Sequence, residues 1–284
     1  MLPKSKTGRR PMSQPAESPA AADPLLIRED ANGVARLTMN RPAQRNALSI
    51  GLMTALQQEL ARLAADPNIR AIVLAGAGPA FCAGHDLKEL TLARNQSDRG
   101  RDFFARTMKQ CSALMQAIVA CPKPVIARVH GIATAAGCQL VASCDLAVAA
   151  NTAKFATPGV NIGLFCSTPM VALSRNVARK HAMEMLLTGE MISADRACEM
   201  GLVNRAVTPS ELDAAVAHFA DTIAAKSALT VSIGKKAFYD QLEKPLAEAY
   251  DYASEVMVTN MLARDAEEGI GAFIEKRDPK WEDR

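Results

Sequence analysis

The chain has 284 residues, a length that allows one large domain or two small ones. Its hydrophobic share of 49% and its charged share of 22% are ordinary for a globular protein. A net charge of +3 excludes a strongly basic nucleic-acid-binding protein and a very acidic halophilic one, and an aromatic share of 4% argues against base-stacking surfaces.

The first 23 residues differ in composition from the rest of the chain. They carry four prolines and a net charge of +2, and they contain no hydrophobic segment. We therefore expect no secretory signal, and we interpret residues 1–23 as a disordered tail. The basic charge and the serines also fit an organelle transit peptide, so that alternative stays open.

Strands and helices are predicted beyond the tail. Residues 34–39 alternate like a strand, which ends where Asn40-Arg41-Pro42 interrupts the hydrogen-bond ladder. Leucines then recur at helical spacing from Leu48 to Leu63, and Asp66-Pro67 closes that helix. Further strands are predicted over residues 69–74, 124–129 and 146–150, and a further helix over residues 102–120.

The strand–turn–helix unit recurs without sequence identity, which predicts an α/β core of similar turns over residues 24–208. After about Thr208 the strand signals stop. Helices are predicted over residues 211–225, 230–241 and 244–261. The sequence therefore predicts an α/β core followed by a helical C-terminal domain over residues 209–284.

The seven cysteines are scattered and form no C-x-x-C pair, which argues against a disulfide framework or a zinc site. Most lie in apolar stretches, where a free thiol acts as a small hydrophobic residue. We expect a reducing compartment: the cytoplasm, or the mitochondrial matrix in a eukaryote. No apolar run reaches the roughly 18 residues of a membrane span, so we expect no membrane span. From the cysteine spacing and the net charge we also expect no metal and no nucleic-acid partner.

Four segments contain the candidate catalytic and binding residues. Residues 81–90 follow a Gly-rich turn, where small residues leave backbone amides accessible. Residues 130–140 open a helix with small side chains, so its free amides and dipole would suit an oxyanion. Residues 155–166 and 182–204 show no metal-ligand spacing, nucleophile elbow or phosphate loop. Taken singly, each segment also fits an ordinary structural connection.

Together the segments resemble the crotonase superfamily, also called the enoyl-CoA hydratase/isomerase family, over about residues 25–273. The sequences of two loops, residues 84–86 and 133–140, are most similar to those of one branch of that family. The resemblance implies a spiral core of repeated β-β-α turns, a helical C-terminal trimerisation domain, and assembly into a trimer or hexamer. The matching pieces are Asn40-Arg41-Pro42 with Asn46-Ala47-Leu48, Phe81 to Glu89, Pro122 to Asp145, and Leu187-Thr188-Gly189 followed by Gly201-Leu202-Val203.

The resemblance also implies fatty acid metabolism on acyl-CoA thioesters, with coenzyme A as part of the substrate and no separate cofactor. Two backbone amides, which match His85 and Ala136, would hold the thioester oxygen in an oxyanion hole and stabilise an enolate. The second position is usually glycine, but an amide donor needs no particular side chain. The positions that match CoA contacts are Ala43, Gln44 and Arg45 in one turn, and Ala83, Gly84, His85, Asp86, Leu87, Lys88 and Ala136 around the oxyanion hole.

The sequence departs from the hydratase pattern at two glutamates that position and deprotonate water. Gln139 and Gly159 stand in their places, and neither accepts a proton near neutral pH. Cys166 lies close to the catalytic Asp of some relatives, and a thiolate there would be nucleophilic if its pKa were lowered. A buried structural cysteine is the simpler interpretation. The imidazole of His85 is a further candidate for moving protons, although a ring turned away from the site is the simpler interpretation.

Three hypotheses remain at this point. The first is a hydratase/isomerase-like enzyme, of the lyase or isomerase class, that stabilises a thioester enolate without the glutamate pair and hydrates weakly or not at all. The second is a non-catalytic acyl-CoA-binding protein. The third is a weak hydratase whose water is positioned by Gln139. We take the first as the working hypothesis.

Overall fold

The computed structural model describes residues 23–284. The predicted tail over residues 1–23 lies outside them, apart from Asp23. Within the described range the strands are β1 (Leu26–Ala31), β2 (Val34–Met39), β3 (Ala71–Gly76), β4 (Ala80–Cys82), β5 (Val125–Val129), β6 (Ile132–Thr134), β7 (Leu146–Ala150), β8 (Lys154–Ala156), β9 (Ile192–Ser193) and β10 (Arg205–Val207).

The α-helices of the same range are α1 (Ile50–Ala65), α2 (Leu87–Ala93), α3 (Arg101–Ala120), α4 (Ala136–Ser143), α5 (Ser167–Asn176), α6 (Arg179–Thr188), α7 (Ala194–Glu199), α8 (Leu212–Ala224), α9 (Ala228–Leu242), α10 (Leu246–Met261) and α11 (Arg264–Glu275). Short 3-10 helices occupy Pro42–Gln44 and Pro158–Ile162.

The strands form two sheets. A six-stranded sheet has the order β1-β2-β3-β5-β7-β10, antiparallel between β1 and β2 and parallel elsewhere. A smaller sheet has the order β4-β6-β8-β9, with β4, β6 and β8 parallel. Each turn of the chain adds one strand to each sheet, since β4, β6 and β8 follow β3, β5 and β7. Helices close the turns, so the chain winds as the spiral of β-β-α units that the resemblance implied.

The burial of the large sheet explains its sequence. Strand β2 alternates buried and half-buried residues because only one of its faces packs on the main core. Strands β3, β5 and β7 are almost continuously apolar because both their faces are covered. On the outer face, Val73, Ile126 and Val148 pack beneath Leu212 and Val216 of α8. Helix α8 therefore packs directly on the core sheet, and the domain division at residue 209 stays a prediction.

Most of the predicted elements are present with small shifts. The strand at 34–39 is confirmed, and α1 begins after Ser49, whose hydroxyl accepts the Leu52 N–H, and ends before Asp66. The predicted strand at 69–74 begins two residues later, because the Ile69 N–H still donates to the Asp66 carbonyl of the preceding turn. The C-terminal helices are present, and a further helix, α11, follows them. No helix of residues 23–284 is both long and apolar enough to cross a bilayer.

Candidate active site

The carboxyl ends of β4, β6 and β8 lie side by side at one edge of the small sheet. The strands are parallel, and Cys82 pairs with Ala133 while Thr134 pairs with Ala156. The residues that leave these strands therefore emerge next to one another. In parallel α/β sheets, ligands bind at this kind of edge.

The loop after β4 leaves one backbone amide free. The Leu48 N–H donates to the Gly84 carbonyl at 2.7 Å, and the Asp86 N–H donates to the Leu48 carbonyl at 3.1 Å. The N–H of His85, between these two bonds, donates to no group in the described part of the chain.

The loop after β6 leaves a second amide free. Ala136 is the first residue of α4, so its N–H has no acceptor within the helix. Ala135 turns the chain from strand to helix at φ 50° and ψ −118°, a conformation that L-residues rarely adopt. The N–H of Ala135 donates to the Ala156 carbonyl at 2.9 Å, and this bond holds the turn against β8.

Two glycines allow these loops to approach each other closely. A Cβ on Gly84, whose φ is +98°, would lie 3.0 Å from the Ala135 Cβ and 3.5 Å from the Ala136 nitrogen. A Cβ on Gly137 would lie 2.0 Å from the Cys82 carbonyl oxygen. The structure thus brings together the two segments that carry the predicted oxyanion donors, and neither amide has an acceptor within residues 23–284.

The same loops meet the predicted CoA-binding turn. The Ala83 N–H donates to the Arg45 carbonyl at 3.0 Å. Ala43, Gln44 and Arg45 are exposed, as are Leu87 and Lys88. The side chains of Arg45 and Lys88 form no ion pair within residues 23–284, so both cations are available to an anionic ligand.

Arg41 and Asp86 hold the oxyanion loop in place. Arg41 donates from Nη2 to Asp86 Oδ2 at 2.8 Å and from Nη1 to the Ala47 carbonyl at 2.5 Å. Asp86 also accepts the Lys88 N–H at 3.0 Å and caps α2. Burial alone would raise the pKa of Asp86, but Arg41 and the amide of Lys88 outweigh burial and hold that pKa below its ordinary value.

Asn46 is a second positioning residue. It is fully buried, and its Nδ2 donates to the Ala77 and Ala80 carbonyls, each at 2.8 Å. Its Oδ1 accepts the Arg41 N–H at 2.9 Å. The sequence alone assigned no role to Arg41 or Asn46. Both residues lie in segments that match the family, and that match was the only indication of their importance.

Gln139 and Gly159, the positions of the two glutamates, are both enclosed. Gln139 is 4% exposed, and its Oε1 accepts the Cys111 S–H at 3.8 Å. A Cβ on Gly159 would lie 2.7 Å from the Leu164 carbonyl oxygen and 2.9 Å from the Cys166 Sγ. Segment 164–166 therefore fills the space that a side chain at position 159 would need.

Cys166 packs against Gly159 and accepts its N–H at Sγ, at 3.3 Å. Burial raises the pKa of the Cys166 thiol, and the hydrogen bond from Gly159 offsets only part of the rise. The thiol is therefore neutral at pH 7, which favours the structural interpretation of this cysteine over the nucleophilic one.

The ring of His85 is half-enclosed beside the site. Both ring nitrogens are buried, and neither has a hydrogen-bond partner among the described residues. Burial lowers the pKa of His85, and a weak contact with the Leu48 backbone offsets part of that shift. The imidazole is therefore neutral at pH 7.

The nearby carboxylates are engaged elsewhere. Asp86 is paired with Arg41, and Glu89 accepts the Ile50 N–H at 3.0 Å. Asp145 accepts from Lys235 at 2.7 Å and from Tyr239 at 2.9 Å. Within the described chain no cluster of three or more His, Cys, Asp or Glu side chains has the arrangement of a metal site. A small apolar void in the core touches one of the four segments only at Leu140, and a groove between α9 and α10 lies away from all four.

Known proteins are similar to this chain in sequence and in fold. A sequence model of the family described as enoyl-CoA hydratase/isomerase matches residues 29–284. Enoyl-CoA hydratase domain-containing protein 3, mitochondrial, from Xenopus laevis is 47% identical over 258 residues, which cover 91% of this chain and 86% of that protein.

Two crystal structures superpose closely. The enoyl-CoA hydratase of Mycobacterium smegmatis has a TM-score of 0.87 and 52% identity, covering 91% of this chain and 99% of that one. The human enoyl Coenzyme A hydratase domain-containing protein 3 has a TM-score of 0.87 and 46% identity, covering 91% of this chain and 100% of that one.

Proposed function

The chain belongs to the enoyl-CoA hydratase/isomerase family, and from that premise we propose that it binds acyl-CoA thioesters and stabilises their enolates without efficient hydration. The predicted family is confirmed, and so is the branch, whose members include enoyl-CoA hydratase domain-containing protein 3. The observation that carries the proposal is the pair of free amides at His85 and Ala136, beside which the described residues offer no free carboxylate.

The free amides supply the chemistry of the proposal. In the oxyanion hole, two N–H donors would bind the thioester oxygen as negative charge develops on it, when a proton leaves the neighbouring carbon. Each such donor contributes about 3 kcal/mol to transition-state stabilisation. The amino end of α4 adds a favourable dipole at the same point.

The exposed turn and loop beside these amides would hold the coenzyme portion. Arg45 and Lys88 form no ion pair with any described residue, and their cations suit phosphate groups. Ala43, Gln44 and Leu87 offer an exposed surface beside them for the rest of the coenzyme. The hydrogen bond between Ala83 and Arg45 joins this surface to the oxyanion loop.

Efficient hydration needs an acid and a base at the water, each worth about 10²–10⁴-fold. Gln139 supplies neither, and its amide oxygen already accepts from Cys111. Segment 164–166 leaves position 159 no room for an acid. The neutral imidazole of His85 is the group we assign to any proton transfer beside the oxyanion hole.

A non-catalytic acyl-CoA-binding protein is the second candidate. The observation that favours it is that Asp86, Glu89 and Asp145 are all engaged in structural hydrogen bonds. A binding protein and an enolate-stabilising enzyme share the oxyanion hole and differ only in turnover.

We propose assembly into a trimer or hexamer, because the C-terminal helices leave large apolar side chains exposed. For location we propose a reducing compartment, since the described cysteines are free thiols. The relative from Xenopus laevis is described as mitochondrial, which supports the matrix if this chain is eukaryotic.

The amide of Ala136 gives the sharpest test of the proposed function. Ala136→Pro removes the donor and its ring distorts the turn at Ala135, while proline is tolerated at the first position of a helix; circular dichroism must first show that the variant is folded. Ala136→Gly keeps the donor and is the matched control. Calorimetry should show micromolar binding of butyryl-CoA by the wild type, about −8 kcal/mol, loss of at least tenfold in Ala136→Pro, and near-normal binding in Ala136→Gly.

Crotonyl-CoA turnover then separates the candidates. Hydration by the wild type should be at least 100-fold slower than that of a dedicated hydratase. A rate equal to that of a dedicated hydratase would contradict the proposal. Turnover of no enoyl-, 3-hydroxyacyl- or acyl-CoA ester, with binding intact, would favour the non-catalytic candidate.

A further inference from the structure

Thr157 has a buried side chain with nothing to bind. The residue is 0% exposed, and its hydroxyl has no hydrogen-bond partner among the described residues. An unpaired buried hydroxyl costs free energy that a valine of the same shape would avoid. An unpaired polar atom of this kind, beside a candidate site, indicates a partner that the site is built to receive.

The place of Thr157 in the fold connects it with the oxyanion hole. It directly follows Ala156, whose carbonyl accepts the Ala135 N–H at 2.9 Å. Neighbouring strands lie about 4.8 Å apart, so the backbone of Thr157 lies about 5 Å from the segment that holds the Ala136 amide. Strand β6 separates β8 from β4, and Thr157 and His85 therefore flank Ala136 from opposite sides.

A second threonine at the same edge shows what a structural hydroxyl looks like. Thr134 ends the neighbouring strand β6 and is also buried. Its hydroxyl donates to the Ala83 carbonyl at 3.2 Å. A threonine hydroxyl with a structural role at this edge thus has a hydrogen-bond partner. The Thr157 hydroxyl has none among the described residues.

We propose that Thr157 determines specificity by binding a neutral hydrogen-bonding oxygen on the acyl chain, a few carbons from the thioester carbonyl. The inference rests on the proposed function, because it requires the carbonyl to be held at Ala136. A hydroxyl both donates and accepts, so it can bind either a hydroxyl or a keto oxygen. The Thr157 side chain is fully buried, and burying a charged carboxylate costs far more free energy than burying a neutral oxygen, so a neutral oxygen suits this hydroxyl better.

The test compares two thioesters that differ in one oxygen, butyryl-CoA and 3-hydroxybutyryl-CoA, by calorimetry on the full-length protein. The wild type should bind the hydroxylated ester about tenfold more tightly, as expected for one hydrogen bond to a buried partner. Thr157→Val should bring the two affinities together by weakening the hydroxylated ester alone. Thr157→Ser, which keeps the hydroxyl, should retain the preference.

Stability measurements separate a ligand contact from a structural one. Thr157→Val should unfold at the same denaturant concentration as the wild type or a higher one, because it removes an unpaired group. The matched control Thr134→Val should unfold at a lower concentration and keep the ligand preference. If Thr157→Val is recovered unfolded, Thr157→Ala provides the same comparison of the two esters.

The outcomes distinguish this inference from the proposed function. Equal affinity of the wild type for both esters, or a preference that survives in Thr157→Val, would mean that only water pairs with the hydroxyl and would overturn the inference alone. Binding of neither ester would overturn both proposals.

Discussion

Position 159 shows at the scale of a single residue how packing limits which side chain can stand beside the candidate site. The backbone of segment 164–166, together with the Cys166 thiol, occupies the volume into which a side chain would project. The lack of a second glutamate is therefore built into the packing of the loop as well as into the identity of the residue.

We expect Gly159→Ala to destabilise the protein by about 1–3 kcal/mol, because overpacking of a filled site has that cost. Gly234→Ala is the matched control. It lies inside α9 with no atom within 4 Å of the new Cβ, so alanine should stabilise by up to about 1 kcal/mol. Urea unfolding measures both. An unchanged stability of Gly159→Ala would mean that segment 164–166 moves aside and does not exclude a side chain at position 159.

His85 predicts a pH dependence of stability. Burial holds its pKa below the ordinary 6.5, so below about pH 6.5 the unfolded chain binds more protons than the folded one. Stability should therefore fall as the pH is lowered from 7 to 5. The half-buried His130 contributes in the same direction, because partial burial lowers its pKa as well.

Thermal unfolding of wild type, His85→Asn and the exposed control His218→Asn between pH 5 and 7.5 measures this effect. We expect a shallower pH slope in His85→Asn and an unchanged slope in His218→Asn. A slope that is equally steep in all three would exclude His85 as a source of the pH dependence.

At the scale of elements, Asp145 ties helix α9 to the core. Its carboxylate accepts the Val125 N–H at 2.7 Å at the start of β5, and it also accepts from Lys235 and Tyr239 of α9. Lys235 donates further to the carbonyls of Ile118 and Lys123. Asp145 follows α4 closely, so one carboxylate joins a core strand, the end of the oxyanion helix and a C-terminal helix.

We expect Lys235→Met to lower the free energy of unfolding by about 3 kcal/mol, because it leaves a largely buried carboxylate without its cation. The adjacent Lys236→Met is the matched control: it removes an exposed ion pair with Asp240 and should have no measurable effect. Urea unfolding again measures both. Equal midpoints for the two variants would show that the tie contributes little.

The elements also show how far the sequence alone reaches. Strand β2 and helix α1 were predicted because their apolar residues recur with clear periods. The strands of the small sheet were not predicted, because a strand of two or three residues is too short to show a hydrophobic period. Helix α11 was not predicted, because Gly269 and Gly271 interrupt its helical pattern. The structure explains Gly269, since a Cβ there would lie 3.1 Å from the Trp281 ring.

In the candidate site, too, some features could be predicted from the sequence and others could not. The loops with His85 and Ala136 were identified from their resemblance to a family, since small residues alone fit many structures. The pair Arg41–Asp86, the buried amide of Asn46 and the filled space beside Gly159 depend on contacts between distant segments. No local pattern encodes such contacts.

At the scale of the whole molecule, the C-terminal helices present an apolar surface. Leu262 is 83% exposed and Phe273 84%, and Leu246 and Ile274 are similarly open. Large apolar side chains that are this open to water are commonly covered by a partner. The surface therefore supports the proposed self-association.

We expect analytical ultracentrifugation to give a species of three or six times the monomer mass. The double substitution Leu262→Glu with Phe273→Glu should shift it toward the monomer, because charges would be buried at the interface. Lys276→Glu, an exposed charge change next to α11, is the control and should leave the assembly intact. A wild-type monomer at micromolar concentration would exclude the proposed assembly.

The packing at Gly159 also constrains how this protein could change in evolution. Glutamate at position 159 would place its Cβ 2.7 Å from the Leu164 carbonyl oxygen. A lineage taking that step would lose folding stability before it gained any water chemistry, and Gln139 would still lack a carboxylate. Only a prior change in segment 164–166 would open the route. A change to a hydratase would therefore be an ordered path of at least three substitutions, and selection for hydration alone cannot favour the first of them.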